Sequence, residues 1–242
     1  MTGARNRYLA EIGIPVWQLR AVASDATPAV PALPEPAEGG APAPATEASA
    51  SALLQGADVW SELAARVSGC TLCGLHKSRT QTVFGVGRRD AQLFVIGEAP
   101  GADEDRQGEP FVGRAGQLLN AMLRAIGLPR SEVFIANILK CRPPGNRDPQ
   151  PDEAASCTPY LSQQIALVQP RALLAVGRIA AQWLLQTDTP IGRLRGRVVS
   201  YGERNTPLVV TYHPAYLLRS PLDKAKAWTD LCLVKELLSR SP

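Results

Sequence analysis

Three short, continuously apolar runs constrain the fold of this chain more than any other feature. They read LFVIG at residues 93–97, VFIANIL at 133–139 and ALLAVG at 172–177, and helical patterns lie between them. Strands that are apolar on both faces are typical of parallel sheets covered by helices. The sequence therefore predicts an α/β fold, a three-layer α/β/α sandwich around a central, mainly parallel four-stranded sheet.

Two further runs, RVVSY at 197–201 and PLVVTY at 207–212, follow near the C-terminus. Either they pair with each other as antiparallel strands, or one of them is the fourth parallel strand. The 3.6-residue periodicity and the helix-ending residues predict helices at 52–67, 115–126, 152–168, from the third strand to about residue 185, and 223–239.

Composition divides the chain into three parts. Residues 22–51 consist almost entirely of Ala, Pro, Gly, Ser, Thr and Glu, which offer little apolar bulk to offset the entropy of ordering. We therefore predict a disordered linker at 22–51, a short N-terminal interaction segment at 1–21, and the folded domain at 52–242.

Charge and hydropathy limit the classes of function. No apolar run reaches the roughly 18 residues of a membrane span, and the N-terminus lacks a signal-peptide core, so we expect a cytoplasmic protein without membrane contact. The net charge of +4 permits nucleic acid as a partner, but a solvated basic surface explains it equally well. A monomer is the default expectation.

The chain has five cysteines, Cys70, Cys73, Cys141, Cys157 and Cys232. An odd number without an export signal argues against a disulfide framework. The CxxC pair and two of the distant cysteines suit a four-thiolate site for zinc or an iron–sulfur cluster, and spacing does not separate the two. Redox use of the CxxC pair, and buried structural roles for Cys141 and Cys157, are the alternatives. Cys232 lies among apolar residues and is predicted to be core.

Polar residues follow three of the predicted strands. Gly97, Glu98 and Ala99 end the first strand, Asn137 lies near the end of the second, and His213 follows the last. Ligands of parallel sheets bind at the carboxyl ends of the strands, so a carboxylate, an amide and an imidazole are expected at one edge. An amide offers a donor and an acceptor, as reading a nucleobase edge requires. A lone histidine is more often structural, but a position at a strand end favours a site.

Several apolar residues near these strand ends have two interpretations each. Phe111 lies in a loop flanked by Gly and Pro, where it is either a stacking surface for a base or a plug in the core. Leu217 and Leu218 either form a wedge that enters a base stack or pack on the last helix.

The arginines of two loops are also ambiguous. Arg142 and Arg147 follow the second strand and either hold phosphates or are solvated. Arg193, Arg195 and Arg197 alternate, so they would share one face of an extended chain as a phosphate-facing row or as an exposed edge.

Together these segments resemble the family 4 uracil-DNA glycosylases. The matching pattern is the CxxC pair, GEAPGADEDRQGEPFVGRAGQLL, NILKCRPPGNRDP, a fourth cysteine at position 157, and HPAYLLR, over nearly all of residues 55–240. The resemblance implies that a [4Fe–4S] cluster tethers DNA-contacting loops without a redox role. Its ligands would be Cys70, Cys73, Cys141 and Cys157.

The resemblance also implies a uracil pocket, with Glu98, Asn137 and His213 as its catalytic residues. Gly97, Glu98 and the backbone of Ala99 would line the pocket, and Phe111 would stack on the flipped base. Asn137 would hydrogen-bond the uracil edge, and His213 would face the uracil O2. The expected DNA contacts are Arg142, Arg147, Arg195, Leu217 and Arg219.

The implied activity is DNA repair: uracil is flipped out of DNA and its N-glycosidic bond is hydrolysed, which leaves an abasic site. No lysine in the motifs suits a Schiff base, so we expect a monofunctional enzyme that does not cut the strand. The alternatives are a non-catalytic, cluster-bearing DNA-binding scaffold of the same fold and a zinc-site nucleotide-binding protein.

The N-terminal segment RNRYLAEIGIPVWQLR, residues 5–20, lies outside this match. It resembles the N-terminal peptide of the psi subunit of the bacterial replicative clamp loader. That resemblance implies a tether that would raise the effective concentration of the enzyme near new DNA. An amphipathic tail, or a segment that packs on its own domain, is the alternative.

Overall fold

A computed structural model describes residues 59–239. The predicted interaction segment at 1–21, the predicted linker at 22–51 and the first residues of the predicted domain lie outside the described residues. The remainder of the predicted domain forms one sheet with helices on both faces.

The sheet has six strands. They are β1 (Val86–Gly87), β2 (Leu93–Gly97), β3 (Phe134–Asn137), β4 (Ala172–Val176), β5 (Val198–Tyr201) and β6 (Thr206–Thr211). Their order across the sheet is β1-β3-β2-β4-β6-β5. The four central strands pair in parallel, and β1 and β5 pair antiparallel at the two edges.

Eight α-helices lie within the described residues. They are α1 (59–68), α2 (Ala102–Gln107), α3 (Arg114–Ala125), α4 (Pro151–Val168), α5 (Arg178–Leu185), α6 (Ile191–Leu194), α7 (Pro214–Arg219) and α8 (Lys224–Ser239). Among them, none is long and apolar enough to span a bilayer.

Two cores lie on opposite faces of the sheet, because alternate strand residues point to opposite sides. Phe94 and Ile96 of β2 belong to the core that includes α4, α5 and α6. Leu93 and Val95 of the same strand belong to the core that includes α3, α7 and α8. This burial on both faces explains the continuous apolar runs and confirms the predicted three-layer α/β fold.

The prediction of four strands was wrong in number, because the sheet carries two extra edge strands. β1 has only two residues, and the second is Gly87, whose φ is +132°. It follows Gly85, whose φ is +133°, so the strand leaves no apolar run in the sequence. At the other edge, both options for the C-terminal runs occur together, since β6 pairs in parallel with β4 and antiparallel with β5.

Cys232 is exposed, and its predicted place in the core was wrong. Its neighbours in α8, Leu231 and Val234, are buried and belong to the core beneath the helix. Because successive helical residues are rotated by about 100°, an apolar neighbourhood in sequence does not put every residue on the buried face.

Candidate active site at the carboxyl edge of the sheet

Four neighbouring strand ends meet at one edge of the sheet. Gly97 ends β2 and is the register partner of Asn137, which ends β3. Gly177 directly follows β4, and His213 lies two residues beyond β6. The strand order β3-β2-β4-β6 therefore brings the predicted amide and imidazole to the same edge, as the parallel topology requires.

Two glycines allow side chains to crowd at this edge. A Cβ atom at Gly97 would lie 2.3 Å from Asn137 Oδ1 and 2.7 Å from Phe111 Cζ. A Cβ atom at Gly177, where φ is +100°, would lie 3.1 Å from His213 Cβ. Any larger residue at Gly97 would collide with both the amide and the aromatic ring, so the backbone itself forms part of the pocket wall.

The amide of Asn137 is only 2% exposed, and its Oδ1 has no hydrogen-bond partner among the described residues. A buried polar atom without a partner costs about 1–3 kcal/mol, so such atoms in folded proteins call for an explanation. A bound ligand that donates a hydrogen bond to Oδ1 would supply the partner.

Phe111 is buried in the core against α3 and reaches the pocket with its ring. The ring centroid lies 5.7 Å from that of His213, and the ring end approaches Gly97. The residue adopts a φ of +55°, which is unusual for an aromatic residue. The interpretation of Phe111 as a core residue is confirmed, whereas its stacking on a base stays a prediction.

Arg130 supports the Phe111 loop. Its guanidinium donates to the carbonyl oxygens of Pro110 at 2.6 Å and of Phe111 at 3.4 Å. Gly116 lets α3 approach the same loop, since a Cβ atom there would lie 1.8 Å from the Phe111 oxygen. Arg130 was not predicted from the sequence, because the loop carbonyl oxygens that it binds lie 19 and 20 residues away in the chain and leave no local pattern.

His213 presents a neutral imidazole. Its Nδ1 accepts a hydrogen bond from the Ala215 backbone N–H at 3.1 Å, so the neutral ring carries its proton on Nε2. Burial, assisted by the positive charge of Arg219, lowers the pKa of His213 to about 4. The ring is therefore a hydrogen-bond donor without a net charge near neutral pH.

Burial shifts the pKa of Glu98 in the opposite direction from that of His213. Removal from water, together with the charge of Asp148, raises the pKa of Glu98 to about 7, and Arg178 opposes the shift. Arg178 forms an ion pair with Asp148 at 2.8 Å. The next residue, Ala99, is half-buried and packs against the core on the α4 side.

Glu104 connects the two loops that form the pocket, and sequence analysis missed it. Its Oε2 accepts from the Gly101 N–H at 3.1 Å, while Oε1 accepts from the N–H groups of Val112 at 3.0 Å and Gly113 at 3.3 Å. The first of these bonds is half of a capping box at the start of α2. The spacing from Gly101 to Glu104 is a signal that could have identified it.

The four predicted cysteine ligands come from three separate segments. Cys70 and Cys73 follow α1 and are half-buried, whereas Cys141 and Cys157 are buried in the core beside α4. Burial raises the pKa of the Cys157 thiol to about 11, and the charges of Cys141 and Cys73 contribute to the rise.

Arg79 lies next to this group, with Nη1 3.1 Å from the Cys141 sulfur. Burial raises the pKa of the Cys141 thiol, and the Arg79 guanidinium opposes the rise. Within residues 59–239, no three His, Cys, Asp or Glu side chains are grouped to hold one metal ion. An iron–sulfur cluster would require four thiolates, which these four cysteines could supply.

The structure contradicts two predicted DNA contacts. Leu217 is fully buried in the core with α3 and α8, and Leu218 is the exposed neighbour at 40%. Arg195 pairs with the fully buried Asp230 at 2.8 Å and lies over the Tyr212 ring, so its guanidinium is engaged within the fold. The proposed alternating row also fails, because Arg193 lies in α6 and not in an extended segment.

The other predicted arginines occupy different settings. Arg219 is exposed. Arg142 is half-buried and donates to Asn146 Oδ1 at 2.8 Å. Arg147 forms a two-bond ion pair with Glu153 near the start of α4, so a phosphate contact by Arg147 would compete with that carboxylate.

Comparison with known proteins places this arrangement in a family. Residues 84–232 match the Uracil DNA glycosylase superfamily. The Type-4 uracil-DNA glycosylase of Archaeoglobus fulgidus is 40% identical over 185 residues, which cover 74% of this chain and 93% of that protein. The Type-4 enzyme of Thermotoga maritima is 42% identical over 158 residues, covering 64% and 81%. The chain therefore belongs to the uracil-DNA glycosylase superfamily and, within it, to the Type-4 uracil-DNA glycosylases.

Proposed function

We propose that this DNA repair glycosylase excises uracil in the pocket formed by Gly97, Glu98, Phe111, Asn137 and His213. The observation that carries the proposal is the meeting of a neutral imidazole donor with an unpaired buried amide oxygen beside an aromatic ring. These are the groups that would recognise a flat base with polar edges.

Binding requires that the uracil leaves the base stack, because its glycosidic bond is inaccessible within a duplex. In the proposed complex Phe111 stacks on the base, and the Asn137 amide pairs with the uracil edge. The unpaired Oδ1 would accept from the uracil N3–H, which supplies its missing partner. The backbone of Gly97 and Ala99 closes the remaining side of the pocket.

Excision breaks the bond between uracil N1 and the sugar C1′ and leaves the electron pair on the base. The resulting negative charge is shared by O2, where the Nε2–H of His213 would donate a hydrogen bond. Because this proton is fixed by the Nδ1 bond to the Ala215 N–H, the donor is oriented before the reaction. A preorganised donor of this kind contributes roughly a 100- to 1000-fold rate increase.

Glu98 is assigned to the sugar side of the reaction. As a carboxylate it would stabilise the positive sugar and orient the water that attacks C1′. The attacking water releases one proton and the departing uracil anion takes one up, so the products are neutral uracil and an abasic site. The Nζ of Lys140 is buried in hydrogen bonds to Asn137 O and Gln164 Oε1, so it is not offered as a Schiff-base nucleophile.

We also propose a [4Fe–4S] cluster held by Cys70, Cys73, Cys141 and Cys157. The support is chemical: four thiols from three segments interact electrostatically, and the Arg79 guanidinium donates to the Cys141 sulfur. Such a cluster would tie together the segment after α1, the loop after β3 and α4. The sequence similarity to the Type-4 enzymes also supports the assignment.

We further propose that the enzyme acts as a cytoplasmic monomer tethered to the replicative clamp loader by residues 1–21, with 22–51 as the linker. The support is the sequence resemblance of residues 5–20. Clamp-loader protein should retain the full chain and fail to retain a chain that begins at Ser51. Equal retention of both would contradict the tether.

Substitutions in the pocket test the excision mechanism. The purified protein should convert a labelled oligonucleotide with one uracil into an abasic product that breaks only after hot alkali. His213→Ala should slow single-turnover excision roughly 100- to 1000-fold, because the O2 charge loses its donor. Asn137→Ala should raise the concentration of free uracil needed for inhibition.

Gln117→Ala, an exposed change on α3, is the control and should leave the excision rate unchanged. Excision at the wild-type rate by both pocket variants would contradict the assignment. DNA binding without excision by the cluster-loaded wild-type protein would favour the scaffold alternative.

The pH profile tests the role of Glu98. Because the pKa of Glu98 is about 7 and the carboxylate is the active form, kcat/KM should fall as pH drops below about 7. The pKa of His213, about 4, puts its titration outside this range, so one acidic limb is expected. Glu98→Gln should remove the limb and lower the plateau. A limb that persists in Glu98→Gln would assign the titration to another group.

A further inference from the structure

A buried lysine connects the base pocket with the cysteine-bearing segments. Lys140 is 1% exposed and lies three residues after Asn137 and directly before Cys141. Its Nζ donates to the Asn137 carbonyl oxygen at 2.9 Å and to Gln164 Oε1 at 2.7 Å. The lysine therefore contacts the backbone of the residue whose side chain is proposed to read uracil.

Gln164 holds the lysine from the opposite side. It is fully buried on α4, and its Nε2 donates to the Phe84 carbonyl oxygen at 2.9 Å. The Lys140 carbonyl oxygen in turn accepts from the Val83 N–H at 2.7 Å. The segment before β1, the end of β3 and α4 thus all contact Lys140, the first through its backbone and the other two through its side chain.

The same residue also contacts a proposed cluster ligand. The backbone and the charge of Lys140 both oppose the rise that burial causes in the pKa of the Cys157 thiol, and Cys157 lies seven residues before Gln164 on α4. Residues seven apart lie on nearly the same face of a helix, so Cys157 and Gln164 approach Lys140 together. One lysine therefore joins the helix that carries Cys157 to the strand that carries Asn137.

Burying an amino group is costly, and an apolar side chain of similar volume would avoid that cost. Here the hydrogen bonds from Nζ to Asn137 O and Gln164 Oε1 offset that cost, and Asn137 ends a strand next to the pocket. A bond to the Asn137 carbonyl fixes the orientation of its peptide group, and with it the direction in which the Asn137 side chain leaves the backbone.

We propose that Lys140, held by Gln164, is a positioning residue for uracil excision that sets the Asn137 amide against the base edge. This inference rests on the proposed use of Asn137 in the pocket. It predicts that Lys140 affects recognition of the base and the chemical step, and that it does not affect the attraction of the DNA backbone.

Lys140→Met tests the inference, because methionine is similar in length and lacks the donor. In cluster-loaded, folded protein, single-turnover excision should slow roughly 10- to 100-fold, as expected for a displaced contact group. The inhibition constant of free uracil should rise by a similar factor. The dissociation constant for uracil-free DNA should stay within about twofold, because phosphate contacts dominate that binding.

Val234→Ala is the matched control for lost stability. Val234 is fully buried on α8, four residues before Leu238, whose carbonyl oxygen accepts from Arg171 just before β4, at the sheet edge opposite the pocket. The cavity left by the truncation should lower the unfolding midpoint without changing uracil inhibition. Should Lys140→Met fail to fold, Gln164→Leu takes its place in the same assays. Gln164→Glu keeps an acceptor for Nζ but loses the donor to the Phe84 oxygen, so its excision rate should lie between those of Gln164→Leu and the wild-type protein.

The inference would be overturned if Lys140→Met and Gln164→Leu changed uracil inhibition and excision no more than Val234→Ala does. That result is distinguishable from failure of the proposed function. If Asn137→Ala loses uracil inhibition while Lys140→Met keeps it, the proposed uracil pocket is supported and only the positioning role of Lys140 is wrong. If the wild-type protein itself neither binds uracil nor excises it, the proposed function fails.

Discussion

The site depends on the close approach of Asn137 and Phe111 over a strand that has no side chain at Gly97. The parallel pairing of β2 with β3 places Gly97 opposite Asn137, and a single Cβ atom there would lie within 2.7 Å of both neighbours. The left-handed backbone of Phe111, and the bonds that Arg130 and Glu104 make to its loop, maintain the contact from the other side. The pocket is thus built mainly by backbone geometry.

Burial then gives the two titratable groups opposite roles. It lowers the pKa of His213 to about 4 and raises the pKa of Glu98 to about 7, because the charged form of each is disfavoured away from water. The imidazole is neutral without losing its Nε2 proton, as a donor to a developing anion requires. The carboxyl ionises near neutral pH, and in the proposed mechanism its charge would stabilise the developing cation of the sugar.

Much of this arrangement could be predicted from the sequence, and the misses have physical causes. The runs around Gly97 and Asn137 predicted the parallel core because burial on both faces leaves a continuous apolar pattern. β1 was missed because its two residues form no pattern. Leu217 was misassigned because the sequence does not show which of two adjacent leucines faces the core. Arg195 was misassigned because its partner, the buried Asp230, lies 35 residues away in the chain.

The state of the His213 imidazole tests the account most directly, because the donor role requires one tautomer and no charge. The measurement is the ¹⁵N chemical shift of both ring nitrogens in selectively labelled protein between about pH 5 and pH 8. The account predicts a neutral ring with the proton on Nε2 throughout, since the pKa of His213 is about 4 and Nδ1 accepts from Ala215. A ring that is doubly protonated near pH 6, or that carries its proton on Nδ1, would contradict it.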